Sequence, residues 1–385
     1  MPTPKSISDP LKTPLFDWHV SHHALISPFG GLPAENILPW AMPIQYTGII
    51  AEHHHTREKV SIFDTCHMGE FFIEGAQALS DLERIVTCRI KSLAPGQCRY
   101  GYILNNQAGI LDDTIVYKLS DEKFMMVVNS TTCQLDRLWI EQHISESTRL
   151  KDISSSTAKI DIQGPFSKNI IQKLLNVNLD SLKYFHFIQI HFMNQDVIIS
   201  RTGYTGEWGC ELYFPVSIAE KVWELFFQEE SVLPAGLGAR DTLRLEVGYP
   251  LYGQDLNESI NPKVCNGMSF VDLEKDFIGQ AALNLSESEY ILVALLCEGR
   301  RSPRHDDKIT FNSKEVGTVT SGSFSPSLKR GIALGYVKKE FTPLETPLVI
   351  QGEKSALPAI VTQLPFYKEG TARGKFGAKS SGFGD

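Results

Sequence analysis

The sequence contains no CxxC pair. Its seven cysteines, at 66, 88, 98, 133, 210, 265 and 297, are scattered and odd in number. That pattern fits reduced thiols in a cytosolic compartment better than a disulfide framework. No apolar run approaches the ~18 residues that a bilayer-spanning helix needs, so no membrane partner is expected. The opening stretch, MPTPKSISDPLKTP, has no apolar core, so a secretory signal is not expected and a cytoplasmic location is. A basic excess is also missing. The formal net charge is −8, which argues against nucleic acid as a partner but leaves room for a local basic pocket around an anionic ligand. Histidine and cysteine at metal-ligand spacing are absent as well. Only Glu52-His53-His54-His55 suggests a cluster, and consecutive residues of a helix point in different directions, so no metal site is expected there.

What is present is an ordinary globular composition, 42% hydrophobic and 21% charged, over 385 residues. That length exceeds one hydrophobic core, so two or three lobes are expected. SIFDTCHMGEFFIEG reads as a strand or hairpin around Met68-Gly69, and AQALSDLERIVT as an amphipathic helix. RYGYILNN and TIVYKLSDEKFMMVVN read as consecutive strands joined by a turn at residues 105–109. TTCQLDRLWIEQHI, SKNIIQKLL and SIAEKVWELFF read as helices, AKIDIQGP as a strand, and DVIISRTGYTGEWGCELYFP as a hairpin with its tip at 203–209. From about residue 290 short strands recur between Gly and Pro turns, which predicts a small β-barrel or sandwich. The fold class is therefore α+β: two interleaved mixed lobes over 13–283, an all-β domain over 290–368, and a Gly/Ser-rich tail over 369–385 expected to fray.

Three segments carry candidate chemistry. In AGILDDTIVYKL, Asp112 and Asp113 stand together at the head of an apolar run. Neighbours on a strand face opposite sides, so at most one of them enters a given pocket, where burial would raise its pKa. A solvated turn with Asx bonds is the alternative. RTGYTGEWGCEL places Tyr204, Glu207 and Glu211 among closely spaced glycines. The glycines permit close ligand approach, and a carboxylate accepts two N–H bonds from a pterin-like edge; a decorated hairpin is the plainer reading. GLGAR, 236–240, is half of a dinucleotide fingerprint without its full form, which reads equally as tight helix packing. Arg240 behind it suits a bidentate carboxylate clamp.

Taken in order, TPLFDWHV, WAMPIQY, IFDTCHMGE, GILDDTIVYKL, MMVVNSTT, RTGYTGEWGCEL, AGLGARDTLRLEVGYPLYGQDL, DFIGQAAL, VTSGSFSPSLKRGIALGYV and LPFYK resemble the glycine-cleavage T-protein family. The resemblance spans roughly residues 13 to 368. It implies a three-domain cloverleaf around a central folate channel, with a C-terminal β-barrel. It implies a tetrahydrofolate-dependent aminomethyltransferase that takes its one-carbon unit from the lipoylated H-protein and releases ammonia. Carried over position by position, Asp113 matches the family's essential aspartate, with Asp112 supporting the turn. Glu211 matches the acid at the pterin edge. Tyr204, Tyr100, Asn129 and Met68 match channel walls, and Arg240 an arginine of the folate site. Lys368 and Arg373 are weaker matches to groups near the glutamate tail.

Two departures stand out. KVCNGMSFV, 263–271, carries Ser269 where the family commonly has Trp, and GGLPAENILPWAMP holds extra residues before Trp40. Both are expected to reshape a channel mouth or loop and to bear on donor and partner more than on folate. The other readings are a folate-dependent demethylase of small sulfonium or amine donors, a non-enzymatic folate-binding module, and a fragment of an FAD-linked fusion. An intact GILDD and dispersed cysteines weigh against the module, and the missing dinucleotide-binding domain against the last.

Overall fold

The computed structural model describes residues 9–373 except 33, 34, 36 and 354. Its strands form four sheets. A five-stranded antiparallel sheet runs Gln97–Leu104, Ile110–Lys118, Lys123–Val128, Gly69–Gly75 and Thr148–Asp152 in spatial order. A six-stranded sheet is ordered Phe187–Phe192, Gln195–Ser200, Gly209–Pro215, Thr157–Gln163, Val60–Asp64 and Val232–Pro234. Residues 290–362 close into a six-stranded barrel. A small sheet of Leu11–Lys12, Trp40–Gln45 and Leu25–Phe29 completes the set.

The two mixed lobes interleave in the chain. The six-stranded sheet takes Val60–Asp64 before the five-stranded sheet begins and resumes at Thr157 after it ends. Of the strand or hairpin expected around Met68-Gly69, strands form but the hairpin is corrected. Val60–Asp64 and Gly69–Gly75 lie in different sheets, and Thr65–Met68 carries the chain from one lobe to the other. Two apolar runs separated by a short polar link look the same in sequence whether they pair or part.

Each sheet covers one face with its own helices. On the six-stranded sheet, Ile160, Ile162, Leu212 and Phe214 pack beneath Ser167–Leu175 and Ala219–Phe226, with Trp223 fully buried among them. On the five-stranded sheet, Phe71, Val116 and Met126 pack beneath Ala78–Ile85 and Cys133–His143. The opposite faces meet each other. Tyr117, Met125 and Val127 from one sheet touch Phe187, Ile198 and Tyr213 from the other. Because strand side chains alternate with period two, the residues of each strand divide between helix face and inter-lobe face. That division positions the site.

The helix Leu237–Val247 packs across the seam between the small sheet and the barrel. It begins at Gly236, whose missing Cβ would lie 2.3 Å from the Ile44 backbone. The Gly236 N–H donates to Glu52, which also accepts from the backbone N–H groups of Tyr46, Thr47 and Gly48. Gly236→Ala is expected to push this helix off the strand at a cost of about 1–3 kcal/mol, read as a lower urea midpoint. His53, one residue along, bonds Thr242 and Ser327 and contacts Glu246, while His55 bonds the Val60 and Ser231 carbonyls.

The tail is corrected in its first residues. Thr371 donates to Glu207 and accepts from the Trp208 N–H, and the Ala372 N–H donates to the Gly206 carbonyl. Glu207 in turn holds Arg57, which also grips Glu246. The residues that fasten this segment lie more than 150 positions upstream, so local composition could not announce it. Residues 374–385 lie outside the described residues.

Candidate active site

Asp113, Ile115 and Tyr117 alternate along Ile110–Lys118 onto the inter-lobe face, while Asp112, Thr114 and Val116 turn toward the helices. Asp113 is half-buried. Its carboxyl accepts Tyr100 Oη at 3.0 Å on one oxygen and Asn129 Nδ2 at 2.9 Å on the other. Burial, followed by the charge of Asp112, pushes its pKa up to about 7. Asp112 does not support the turn as expected. It is fully buried and accepts from both the backbone N–H and the side-chain amide of Asn129, at 2.9 and 2.8 Å. The turn is held instead by Asn105, whose carboxamide oxygen accepts from Gln107 and Gly109.

The facing wall comes from the six-stranded sheet. Lys159, Asp161, Glu211 and Tyr213 share its inter-lobe face, with Asp161 opposite Glu211 and Lys159 opposite Tyr213 in the strand register. Lys159 Nζ lies 2.7 Å from Glu211 and 2.8 Å from Asp161. All three are buried. Burial works against the charge on Asp161, but Lys159 and Arg240 overcome it and hold its pKa below the ordinary carboxylate range. Glu211 also accepts from Thr202 at 2.5 Å and Tyr213 at 3.3 Å.

Arg240 closes this group. It reaches Asp161 at 3.4 Å and sits 4.6 Å from the centroid of the Tyr204 ring. Its Nε is buried with no partner among the described residues. Tyr204 donates to the Pro250 carbonyl and stacks on Tyr249 at 5.8 Å. Tyr249 lies 3.3 Å from Tyr184 by their hydroxyls, and the Arg373 guanidinium sits over the Tyr184 ring. An aromatic row thus leads from Arg240 outward to Arg373. Tyr204 feels the charge of Asp113, which ties the two groups together. Met68 packs in the apolar seam with Tyr117 and Tyr213.

The structure therefore brings together Asp113, Tyr100 and Asn129, and separately Glu211, Arg240 and Tyr204, with Met68 between the sheets. Lys368 is exposed, and no hydrogen bond or ion pair to the others is recorded among the described residues. The unusual 263–270 stretch is not remote. Gly267 lies against the Tyr102 hydroxyl, and Phe270, 42% exposed, meets the Tyr100 ring at 4.6 Å. Leu93, Cys98, Tyr100, Phe185 and Phe270 line a cleft of about 270 Å³ beside them. This departure thus reaches the wall that holds Asp113. Of the extra residues before Trp40, 33, 34 and 36 lie outside the described residues; Leu32 and Ile37 bridge.

A family model for the GCVT N-terminal domain matches residues 15–275, and one for the glycine cleavage T-protein C-terminal barrel domain matches 291–368. The chain belongs to the glycine cleavage T-protein family. A relative called aminomethyltransferase in Halothermothrix orenii is 40% identical over 362 residues, covering 92% of this chain and 99% of the relative. Another, from Flavobacterium psychrophilum, is 37% identical over 365 residues, covering 93% and 99%. The crystal structure of the glycine cleavage system aminomethyltransferase T from Bartonella henselae matches with a TM-score of 0.88 at 29% identity, covering 94% of this chain and 99% of that one. Membership accounts for the three-lobed α+β fold and its terminal barrel.

Lys159 was not singled out in the sequence, although a signal exists. In AKIDIQ, opposite charges two apart on an apolar strand share a face, so each implies a buried partner for the other. Tyr249 carries no comparable signal; its role depends on a stack across two loops.

Proposed function

We propose that Asp113 is the catalytic carboxylate of a tetrahydrofolate-dependent transfer, with Tyr100, Asn129, Tyr204, Glu211, Arg240 and Met68 forming the folate site. The chain is an aminomethyltransferase. In the reaction we assign, the aminomethyl carbon leaves the lipoyl sulfur of an H-protein, its nitrogen departs as ammonia, and the dihydrolipoyl thiol is restored. Tetrahydrofolate, when bound, supplies the two nitrogens that take the carbon, giving the 5,10-methylene form.

The observation that carries this reading is the state of Asp113. It is a half-buried carboxyl on the inter-lobe face, fixed by two donors and poised near neutrality. A carboxylate so held orients nitrogen donors and stabilises positive charge as it develops, without reorganising. The surroundings fit a flat, polar-edged ligand. Tyr204, Tyr249, Tyr100 and Phe270 offer ring faces, and Arg240 Nε is a buried donor awaiting an acceptor. Arg373 at the outer end of the aromatic row suits an anionic tail. Lys368 is a further candidate for that tail from its exposed position.

Calorimetry with tetrahydrofolate tests the site. One binding event per chain is expected, weakened about tenfold by Tyr204→Ala, or ~1.4 kcal/mol. Binding unchanged by that substitution would place the folate elsewhere.

A further inference from the structure

One buried acid near the site has no role in the account so far. Asp136 lies in the first turn of the helix Cys133–His143, on the side of the five-stranded sheet away from the inter-lobe face. It is 1% exposed, and its Oδ2 has no hydrogen-bond partner among the described residues. Its backbone N–H donates to the Thr132 carbonyl, and the Thr132 hydroxyl donates to the Asn129 carbonyl. The helix start and the Asn129 loop are thus one piece. The neighbour of its carboxyl is Asp112, 0% exposed, and the two carboxyls are within hydrogen-bonding reach of each other.

No described ion pair includes Asp112, Asp113 or Asp136. Two buried carboxylates in contact with no cation cannot both be ionised, so the pair holds one proton. Its position follows from the bonds each acid already makes. Asp112 accepts two N–H bonds from Asn129, which favour its anion. Asp136 Oδ2 accepts none. We propose that Asp136 is a positioning residue: its protonated carboxyl donates to Asp112, keeps Asp112 an anion, and through Asn129 fixes and tunes the carboxylate of Asp113.

Two physical consequences follow. Asn129 Nδ2 is shared between Asp112 Oδ1 at 2.8 Å and Asp113 Oδ1 at 2.9 Å, so anchoring Asn129 on a charged Asp112 sets the plane of Asp113. Burial, and after it the fixed charge of Asp112, also holds Asp113 above the usual carboxylate range. The other titratable groups that face these acids are Tyr100 and Tyr102 from the neighbouring strand, Tyr204 from the 201–208 loop, Tyr252 with Glu258 behind it, Cys265, and Cys133 at the start of the Asp136 helix. Burial raises the four tyrosines and the two thiols, so they remain neutral near pH 7 and leave Asp112 as the charge beside Asp113.

The inference rests on the assignment of Asp113 as the reacting carboxylate, and two readouts separate the claims. The first needs no turnover. The infrared difference between the ligand-free wild type and Asp136→Asn at neutral pH is expected to show a protonated-carboxyl C=O band lost in the variant. No such band would overturn the shared proton, whatever Asp113 does. The second is the pH profile of kcat. Asp136→Ala removes the donor, so Asp112 takes the proton and its charge is lost. The acid limb is then expected to fall by about one pH unit, with kcat on the plateau down roughly tenfold and KM for tetrahydrofolate little changed. Asp136→Asn keeps a neutral donor toward Asp112 and is expected to restore the wild-type limb. A limb unmoved by Ala, or moved equally by Ala and Asn, would overturn the tuning role. If Asp136→Ala does not fold, the infrared band and the Asn profile decide.

Discussion

Asp113→Asn is expected to lower turnover by about two to three orders of magnitude while leaving tetrahydrofolate affinity within a few-fold. The carboxylate is held by Tyr100 and Asn129 on separate oxygens. In the proposed role it meets charge that develops during transfer, so its loss is expected to weigh on kcat more than on binding. The amide is nearly the same size and leaves the shape intact. The pH dependence follows from the raised pKa. Turnover is expected to rise with pH through about 7 as Asp113 ionises. Stability runs the other way. A carboxyl whose folded pKa lies above its unfolded value binds more protons when folded between pH 4 and 7, so its contribution is lost as pH rises through that window. Above pH 7, Asp113→Asn is therefore expected to raise the thermal midpoint even as it lowers turnover. Full turnover in the folded variant would remove Asp113 from the chemistry.

The second large effect falls on Lys159. Lys159→Met leaves Glu211 and Asp161 buried without the cation that joins them. Breaking a buried pair by removing one partner costs about 3–5 kcal/mol. The urea midpoint at pH 7 is expected to drop accordingly, and folate binding with it. The sign with pH is diagnostic. In the wild type, Asp161 has a depressed pKa, so its contribution is present at neutral pH and lost as pH falls through that value. In the variant Asp161 keeps its burial but loses the Lys159 charge that depresses it, so acidification from pH 7 toward 5 is expected to recover part of the loss. A variant as stable as the wild type at pH 7 would mean that Arg240 alone satisfies the cluster.

Much of this arrangement was legible because strands declare their faces. DDTIVYK fixes that Asp112 and Asp113 diverge, and the structure sends one to the helices and the other to the inter-lobe face. The terminal barrel was legible from short strands between turns, and the helix at GLGAR from its glycines, which pack against Ile44 and Ile49. What stayed hidden depends on distant partners. Asp112 gives no sign in sequence of reaching Asn129 and Asp136, because the strand-to-helix geometry that joins them is set by packing. The stretch around Met68-Gly69 reads as a strand or hairpin because nothing local reveals that Val60–Asp64 and Gly69–Gly75 belong to different sheets. The packed residues 370–372 look like loose tail because Glu207 and Trp208, which hold them, lie in another lobe. Phe270 sits in a stretch flagged only as unusual, and its contact with Tyr100 needed the fold.

The most direct test of the central claim combines the purified chain, tetrahydrofolate and H-protein loaded with the aminomethyl group on its lipoyl arm, and measures ammonia and 5,10-methylene-tetrahydrofolate together. The account predicts that both appear in equal amounts, only when folate is present, and that Asp113→Asn suppresses both. Folate bound without ammonia release, or ammonia release indifferent to folate and to Asp113, would contradict it.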